Sequence, residues 1–252
     1  MRKLQNKVVF VAGAATGPGA ASARRLAQED ARAVLGDLNA DGAEETVADI
    51  RAGGDDAVAL EFDTSDNASV GRLVPTAVGT YGGLDAVHAN AGDMGAVQKD
   101  TDVTDIDLAI RDRTIAVNLR GHMPVSRHAV PELIARGDAI AYTSSIASFT
   151  GDPQRPANAV TEAGINALAR HVASRWSKEG IRANAVAPGP ILTPEIEEGA
   201  PPETLRAMLA RNRGTRHGRA EDAAGMVTCL VSDEGARING QVLTVDGGTV
   251  LR

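Results

Sequence analysis

Short apolar runs alternate along the chain with longer stretches whose apolar positions recur at helical spacing. Lys7–Ala12 reads as a buried strand, and Gly17–Gln28 as a helix that turns Ala21, Leu26 and Ala27 inward. Ala33–Gly36 is a second strand and Ala40–Ala52 a second helix. Val58–Phe62 is a third strand, followed by a helix over Asn67–Tyr81. Leu84–Ala89 is a fourth strand. The helical region after it runs to about Ala135, and Pro124 and Pro131 predict local interruptions there. Ala139–Thr143 is a fifth strand, Asn158–Lys178 a fifth helix, Ala183–Val186 a sixth strand, and Leu243–Val245 closes the series. Strand–helix alternation without strand hairpins predicts an α/β fold, a doubly wound Rossmann-type parallel sheet of about seven strands with helices on both faces.

No repeat or low-complexity linker interrupts this pattern, so residues 1–252 read as a single domain. The one composition break is Pro188–Pro202, where prolines and glycines punctuate the chain. Residues 190–215 therefore read as a long loop over a binding pocket, a lid rather than a domain boundary. Its Glu, Arg, Met208 and Leu209 do not identify a substrate.

Composition narrows the function classes. The formal net charge is -7, from 26 Lys+Arg against 33 Asp+Glu, which disfavours nucleic acid or an anionic membrane as the main partner. A lone Cys229 excludes a disulfide scaffold and fits a reducing, cytoplasmic location. No apolar run approaches the roughly 18 residues of a membrane span. Arg2, Lys3 and Lys7 before Val8–Ala15 loosely imitate a secretion signal, but the glycines that follow fit a strand entering a turn. Aromatic residues make up only 2% of the chain, leaving Tyr81 and Tyr142 as the sole phenols.

The first strand ends in Ala12-Gly13-Ala14-Ala15-Thr16-Gly17-Pro18-Gly19, which opens directly into a helix. Glycines let backbone approach a pyrophosphate, and the helix N-terminus offers N–H groups and a positive dipole end. Asp37 ends the second strand twenty-four residues after Gly13, near the spacing at which an acid reaches the adenosine ribose hydroxyls. A helix cap is the plainer role for such an acid. A carboxylate there repels a 2′-phosphate, which favours NAD over NADP as cofactor.

With these residues the chain resembles the short-chain dehydrogenase/reductase family in its compact form. The turn is similar to the family's Thr-Gly-x-x-x-Gly-x-Gly, with Ala12 in place of threonine, so Gly13, Thr16, Gly17, Pro18 and Gly19 would lie at the pyrophosphate. Asp63-Thr64 looks like the family's adenine-contacting pair, and Asn90-Ala91-Gly92 matches its element after the fourth strand. Asn118 fits its structural and proton-relay asparagine. Ser144-Ser145 fits its serine pair, whose second member is catalytic. Pro188, Gly189, Ile191 and Thr193 resemble the segment that grips the nicotinamide carboxamide, and Val245-Asp246-Gly247-Gly248 the family's ending. The resemblance implies a small-molecule substrate and a homo-oligomer, tetramer or dimer.

It fails at the family's central Tyr-x-x-x-Lys. The position thirteen residues beyond Ser145 is Asn158, and four further on stands Glu162. Tyrosine in the family moves the proton while hydride moves to or from nicotinamide, and lysine lowers its pKa and binds the ribose. Asn158 has no proton transferable near neutral pH, and Glu162 replaces a positive charge by a negative one. The remaining lysines, Lys3, Lys7, Lys99 and Lys178, are all distant in sequence. Tyr142 alternates with Ser145 and is expected on the other side of the sheet. Tyr81 reads as an aromatic packing residue.

His122 lies one helical turn after Asn118 and titrates in a range suited to proton donation, although a packed histidine is the plainer reading. Asp152 and Arg155 border the expected substrate pocket or are simply surface charges. The other histidines sit in surface-like contexts without metal-ligand spacing, so no metal is expected. Pro18 is a second departure, because its nitrogen donates nothing to a phosphate. Two functions fit these residues. One is an NAD(H)-linked oxidoreductase with an altered proton relay, in which Ser145, Asn118, Asn158 and Glu162 form the catalytic site. The other is a non-redox relative, either a lyase, isomerase or cyclase, or a silent binding scaffold.

Overall fold

A computed structural model describes residues 4–251. Seven parallel strands form one sheet: β1 Val8–Ala12, β2 Arg32–Asp37, β3 Ala57–Glu61, β4 Ala86–Ala89, β5 Ala139–Thr143, β6 Arg182–Pro188 and β7 Val242–Val245. Their spatial order is β3-β2-β1-β4-β5-β6-β7, so the winding reverses between β1 and β4. In such sheets ligands bind beyond the carboxyl ends of the strands at that reversal.

The central strand is apolar on both faces because both faces are covered. Val8 and Phe10 of β1 pack with Val87, Ile140 and Tyr142 on one side. Val9 and Val11 pack with Leu35, Ala86 and Ala141 on the other. Each fully buried side chain of this size contributes about 1.5–3 kcal/mol. Helices α1 (Gly17–Gln28), α2 (Ala40–Ala52) and α11 (Ala220–Val231) cover the second side. Helices α4 (Leu73–Tyr81), α7 (His122–Ala135) and α8 (Pro156–Trp176) cover the first. Val8–Ala12 is thus interior sheet and not a secretion signal's apolar segment, while Arg2 and Lys3 lie outside the described residues.

Three expected elements differ. Asn67–Tyr81 is two helices, α3 (Asn67–Val70) and α4, since the chain breaks at Gly71 and Arg72. The long region before Ala135 contains α5 (Met94–Gln98), α6 (Leu108–Ile115), a π turn at Ala116–Arg120 and then α7. Neither proline interrupts α7: Pro124 falls in its first turn, where the missing donor costs little, and Pro131 is carried inside it. The lid segment is not a loop, because it folds into α9 (Pro194–Gly199) and α10 (Pro202–Ala210), each with a proline in its first turn. Among the described residues no helix is long and apolar enough to cross a membrane.

Candidate active site

The carboxyl ends of β1 to β7 bring most of the expected site residues to one edge of the sheet. Gly13 follows β1 in the left-handed region, with φ of +77°. A Cβ there would stand 2.7 Å from the Ala91 Cα, so the turn after β1 lies directly on the segment after β4. A side chain on Gly19 would collide with the Gly13 carbonyl, which is why α1 can start so close to the strand. Gly17 is also left-handed, at +56°, but nothing stands within 4 Å of its Cβ position. The space over Gly17 is open.

That opening suits an anion. Thr16, the N-cap of α1, makes no side-chain cap hydrogen bond, and the first turn carries no acid. A twelve-residue helix therefore presents its positive end uncapped. Pro18 sits in that turn and supplies no N–H. Asp37, at the end of β2, accepts from the Ala15 N–H (2.9 Å) and the Asn39 N–H (2.9 Å). Its carboxylate is thereby fixed beside the turn.

Further along the edge, Asp63 accepts from the Ser65 hydroxyl and N–H, which hold its carboxyl below the usual range. Thr64 is buried beneath Gly121, where a Cβ would stand 2.8 Å from both Thr64 oxygens. Asn90 turns inward rather than toward a ligand: its Nδ2 donates to the Gly13 carbonyl at 2.9 Å. This side chain braces the turn. Ala91 abuts Gly13, and Gly92 is exposed near the Asn118 amide.

Asn118 lies in the π turn before α7, a widened turn often found at functional sites. Its Oδ1 accepts the Asp93 N–H at 2.8 Å. Ser145 follows β5 and caps a short 3-10 turn, its Oγ accepting from the Ala147 N–H at 3.2 Å. Ser144 is buried, and its hydroxyl donates to the Glu162 carbonyl at 3.2 Å, tying β5 to α8. Gly164 lets α8 close on the π turn, since a Cβ there would stand 2.6 Å from Leu119. Together these contacts bring Asn118, Ser145 and the start of α8 into one region.

Asn158 is half-buried in the first turn of α8, and its N–H donates to Asp100 Oδ2 at 2.8 Å. Glu162 stands one helical turn on. Its Oε2 is sealed from solvent with no hydrogen-bond partner among the described residues, and burial pushes the carboxyl up to about 8. A buried acid without a partner is held in its neutral form at pH 7. At the far side of the edge, Pro188 ends β6 and the Gly189 N–H donates to the Val245 carbonyl at 3.1 Å. Ile191 bridges to Gly218, and Thr193 caps α9.

Other candidates fall away. His122 is buried, its Nε2 against the Ala91 carbonyl at 3.1 Å, and burial lowers it to about 4. It faces the interior and is not a proton donor to a ligand. Tyr142 is fully buried and paired with Ser126 at 2.7 Å. It packs on the α7–α8 side of the sheet, the side the serine loop also meets through Ser144 and Ser148, which corrects the expectation that it lies across the sheet; burial and Ser126 keep it from the edge. The Tyr81 hydroxyl donates to Asp56 at the surface. Asp152 and Arg155 are exposed and face each other at 3.7 Å. His88 corrects the expectation of surface histidines, for it is completely buried in β4. Only its neighbours in the sheet, Val87 and Ala89, hinted at that. Among the described residues no group of three or more His, Cys, Asp or Glu side chains could hold a metal.

A family model described as enoyl-(acyl carrier protein) reductase matches residues 13–250. A probable short-chain type dehydrogenase/reductase from Bradyrhizobium diazoefficiens is 36% identical over 98% of this chain and 89% of its own. The cis-4-hydroxycyclohexanecarboxylate dehydrogenase of Sinomonas cyclohexanicum is 35% identical over 96% of each chain. The crystal structure of a dehydrogenase/reductase from Sinorhizobium meliloti has a TM-score of 0.90 at 29% identity, covering 99% of this chain and 97% of that one.

Proposed function

The chain belongs to the short-chain dehydrogenase/reductase family, and we propose that it is an NAD(H)-linked oxidoreductase of a small carbonyl or hydroxyl substrate with an altered proton relay. The observation that carries this reading is the open, uncapped start of α1 at the reversal of the sheet, with Asp37 on one side and Ser145 on the other. The residues fit a dinucleotide. Left-handed Gly17 leaves room where any larger group would stand over the helix end. Asp37 would bind ribose hydroxyls and repel a 2′-phosphate, a reading that favours NAD over NADP. Asp63 and Thr64 would flank the adenine, with Ala91 and Gly92 along the path to the nicotinamide. Pro188, Gly189, Ile191 and Thr193 would hold the carboxamide.

Bound NAD(H) supplies the hydride acceptor or donor. Ser145 polarises the substrate oxygen with its hydroxyl, and Asn158 orients that oxygen with its amide. Asn118 holds the segment after β4 through the Asp93 N–H. Asn158 and Glu162 stand where the family's Tyr and Lys are expected, so on oxidation the hydroxyl proton would pass to water or to a basic group of the substrate, and on reduction it would come from water or from an acidic one. Glu162 would face the nicotinamide ribose as a neutral acid, through the carboxyl oxygen that is not sealed. A cytoplasmic homo-oligomer, dimer or tetramer, belongs to the same reading, as does a lid formed by residues 190–215.

The sealed, unpartnered Oε2 of Glu162 favours one other reading: a site converted to non-redox chemistry (lyase, isomerase or cyclase) or to binding alone. Two measurements on the purified protein separate them. One is calorimetric titration with NADH and NADPH; the other is NADH absorbance over a panel of cyclic and acyclic secondary alcohols and ketones. Turnover with NAD supports the proposal. Tight NADH binding without turnover on any member favours the non-redox reading, and no binding of either nucleotide overturns the cofactor assignment.

A further inference from the structure

The turn after β1 is tied to the interior by three hydrogen bonds whose direction is determined at every link. The Gly13 carbonyl can only accept, so the Asn90 group facing it at 2.9 Å is the amide nitrogen. The amide oxygen then points the other way and accepts from Thr143 Oγ1, also at 2.9 Å. A threonine hydroxyl has one proton, and that bond uses it. Thr143 must therefore accept from His88 Nε2, which lies 2.9 Å away. His88 is the neutral Nε2–H tautomer, with Nδ1 sealed and unpartnered among the described residues. Burial, reinforced by neighbouring His122, lowers its basicity to about 3, so no second proton enters near neutral pH.

The chain of hydrogen bonds acts on one residue, Gly13. The Gly13 N–H donates to the Gly36 carbonyl of β2 at 2.7 Å, while its carbonyl takes the Asn90 amide. Both ends of the left-handed glycine are thus clamped, and Gly19 at the start of α1 rests on the clamped carbonyl. A carbonyl oxygen rotated outward there would face the phosphates with the wrong polarity. We propose that His88 and Thr143 are positioning residues for the dinucleotide: they lock the Asn90 amide, which keeps the Gly13 carbonyl inward and the start of α1 open to the pyrophosphate. Valine at 143 preserves the shape but orphans Asn90 Oδ1 and the His88 N–H, so the amide is free to rotate and release the carbonyl.

This inference rests on the reading of the site as nucleotide-binding. Its test is NADH fluorescence titration of the natural protein and of Thr143→Val, Thr143→Ser and His88→Leu, with thermal unfolding of each. Thr143→Val weakens NADH about tenfold, equivalent to about 1.4 kcal/mol, whereas Thr143→Ser, which keeps the hydroxyl, stays within about twofold. His88→Leu removes only the far link and weakens NADH about threefold. A folded Thr143→Val protein with unchanged affinity overturns the proposal, because the chain then serves stability alone. A loss in Thr143→Ser equal to that in Thr143→Val overturns it too. If Thr143→Val does not fold, His88→Leu decides: unchanged affinity overturns the proposal and weaker affinity supports it. A natural protein that binds no NADH overturns the nucleotide reading itself and this inference with it, an outcome distinct from the others.

Discussion

The main-chain N–H of Ala15 donates to Asp37 Oδ2 at 2.9 Å, joining the turn after β1 to the last residue of β2. The acid expected to select the cofactor therefore also braces the turn that receives it. Asp37→Ala is expected to weaken NAD and to relax the preference over NADP. Loss of the charge-assisted bonds also lowers stability, by about 1.5–3 kcal/mol. Calorimetry with both nucleotides and thermal unfolding check the two effects separately. Tighter NADP than NAD binding by the natural protein contradicts the assignment.

Pro18 lies in the first turn of α1 at the open end of the helix. Pro18→Ile adds one N–H there without lengthening the backbone. NAD affinity is expected to rise by up to about tenfold, or about 1.4 kcal/mol. An unchanged dissociation constant in a folded variant shows that the pyrophosphate does not use this donor.

Restoring the family's pair tests the chemistry. Positioned proton transfer typically contributes about 10²–10⁴-fold. Turnover of simple secondary alcohols by the natural protein is expected to be very low, and Asn158→Tyr with Glu162→Lys is expected to recover part of that factor. Neither single change does as much: a tyrosine beside Glu162 gains no cation to lower its pKa, and a lysine beside Asn158 has no phenol to tune. Steady-state assays of the natural protein and the three variants decide it. Fast NADH-linked turnover by the natural protein contradicts the altered-relay argument.

The Glu162 carboxyl gives a pH signature independent of turnover. Its pKa is raised from 4.5 to about 8 by burial, so between those values the folded state holds a proton that the unfolded state has released. Its contribution to stability is whole below the lower value and is lost as pH rises through the upper one. Glu162→Gln mimics the neutral form at every pH. The variant is expected to match the natural protein near pH 4.5 and to become the more stable of the two as pH rises, with a slope approaching about 1.4 kcal/mol per pH unit. Unfolding midpoints measured in parallel from pH 5 to 8 check this; parallel curves mean that Glu162 is solvated.

Much of the molecule was readable before its structure. Ala139–Thr143, Gly17–Gln28 and Ala40–Ala52 match the expected elements residue for residue, because local periodicity and a glycine or polar boundary mark each one. The placement of Asp37 and Ser145 at the ends of their strands, and of Asn158 in the first turn of its helix, is readable for the same reason. Where an expected element failed, the local position of a breaking residue decided. Residues 190–215 looked irregular from their prolines, yet Pro194 and Pro202 sit where a helix start tolerates them.

The alternation of apolar runs by itself determined a parallel sheet with its turns at one edge, since strands buried on both faces and helices with one apolar side leave few other ways to exclude water. It also determined which residue types reach that edge. Only the tertiary structure decided what those side chains do there. Asn90 braces Gly13 and His122 faces Ala91, while His88 and Thr143 join a turn more than seventy residues earlier. A hydrogen bond's partner and direction depend on which groups are shut away from water together, and that is settled by packing between strands far apart in the chain.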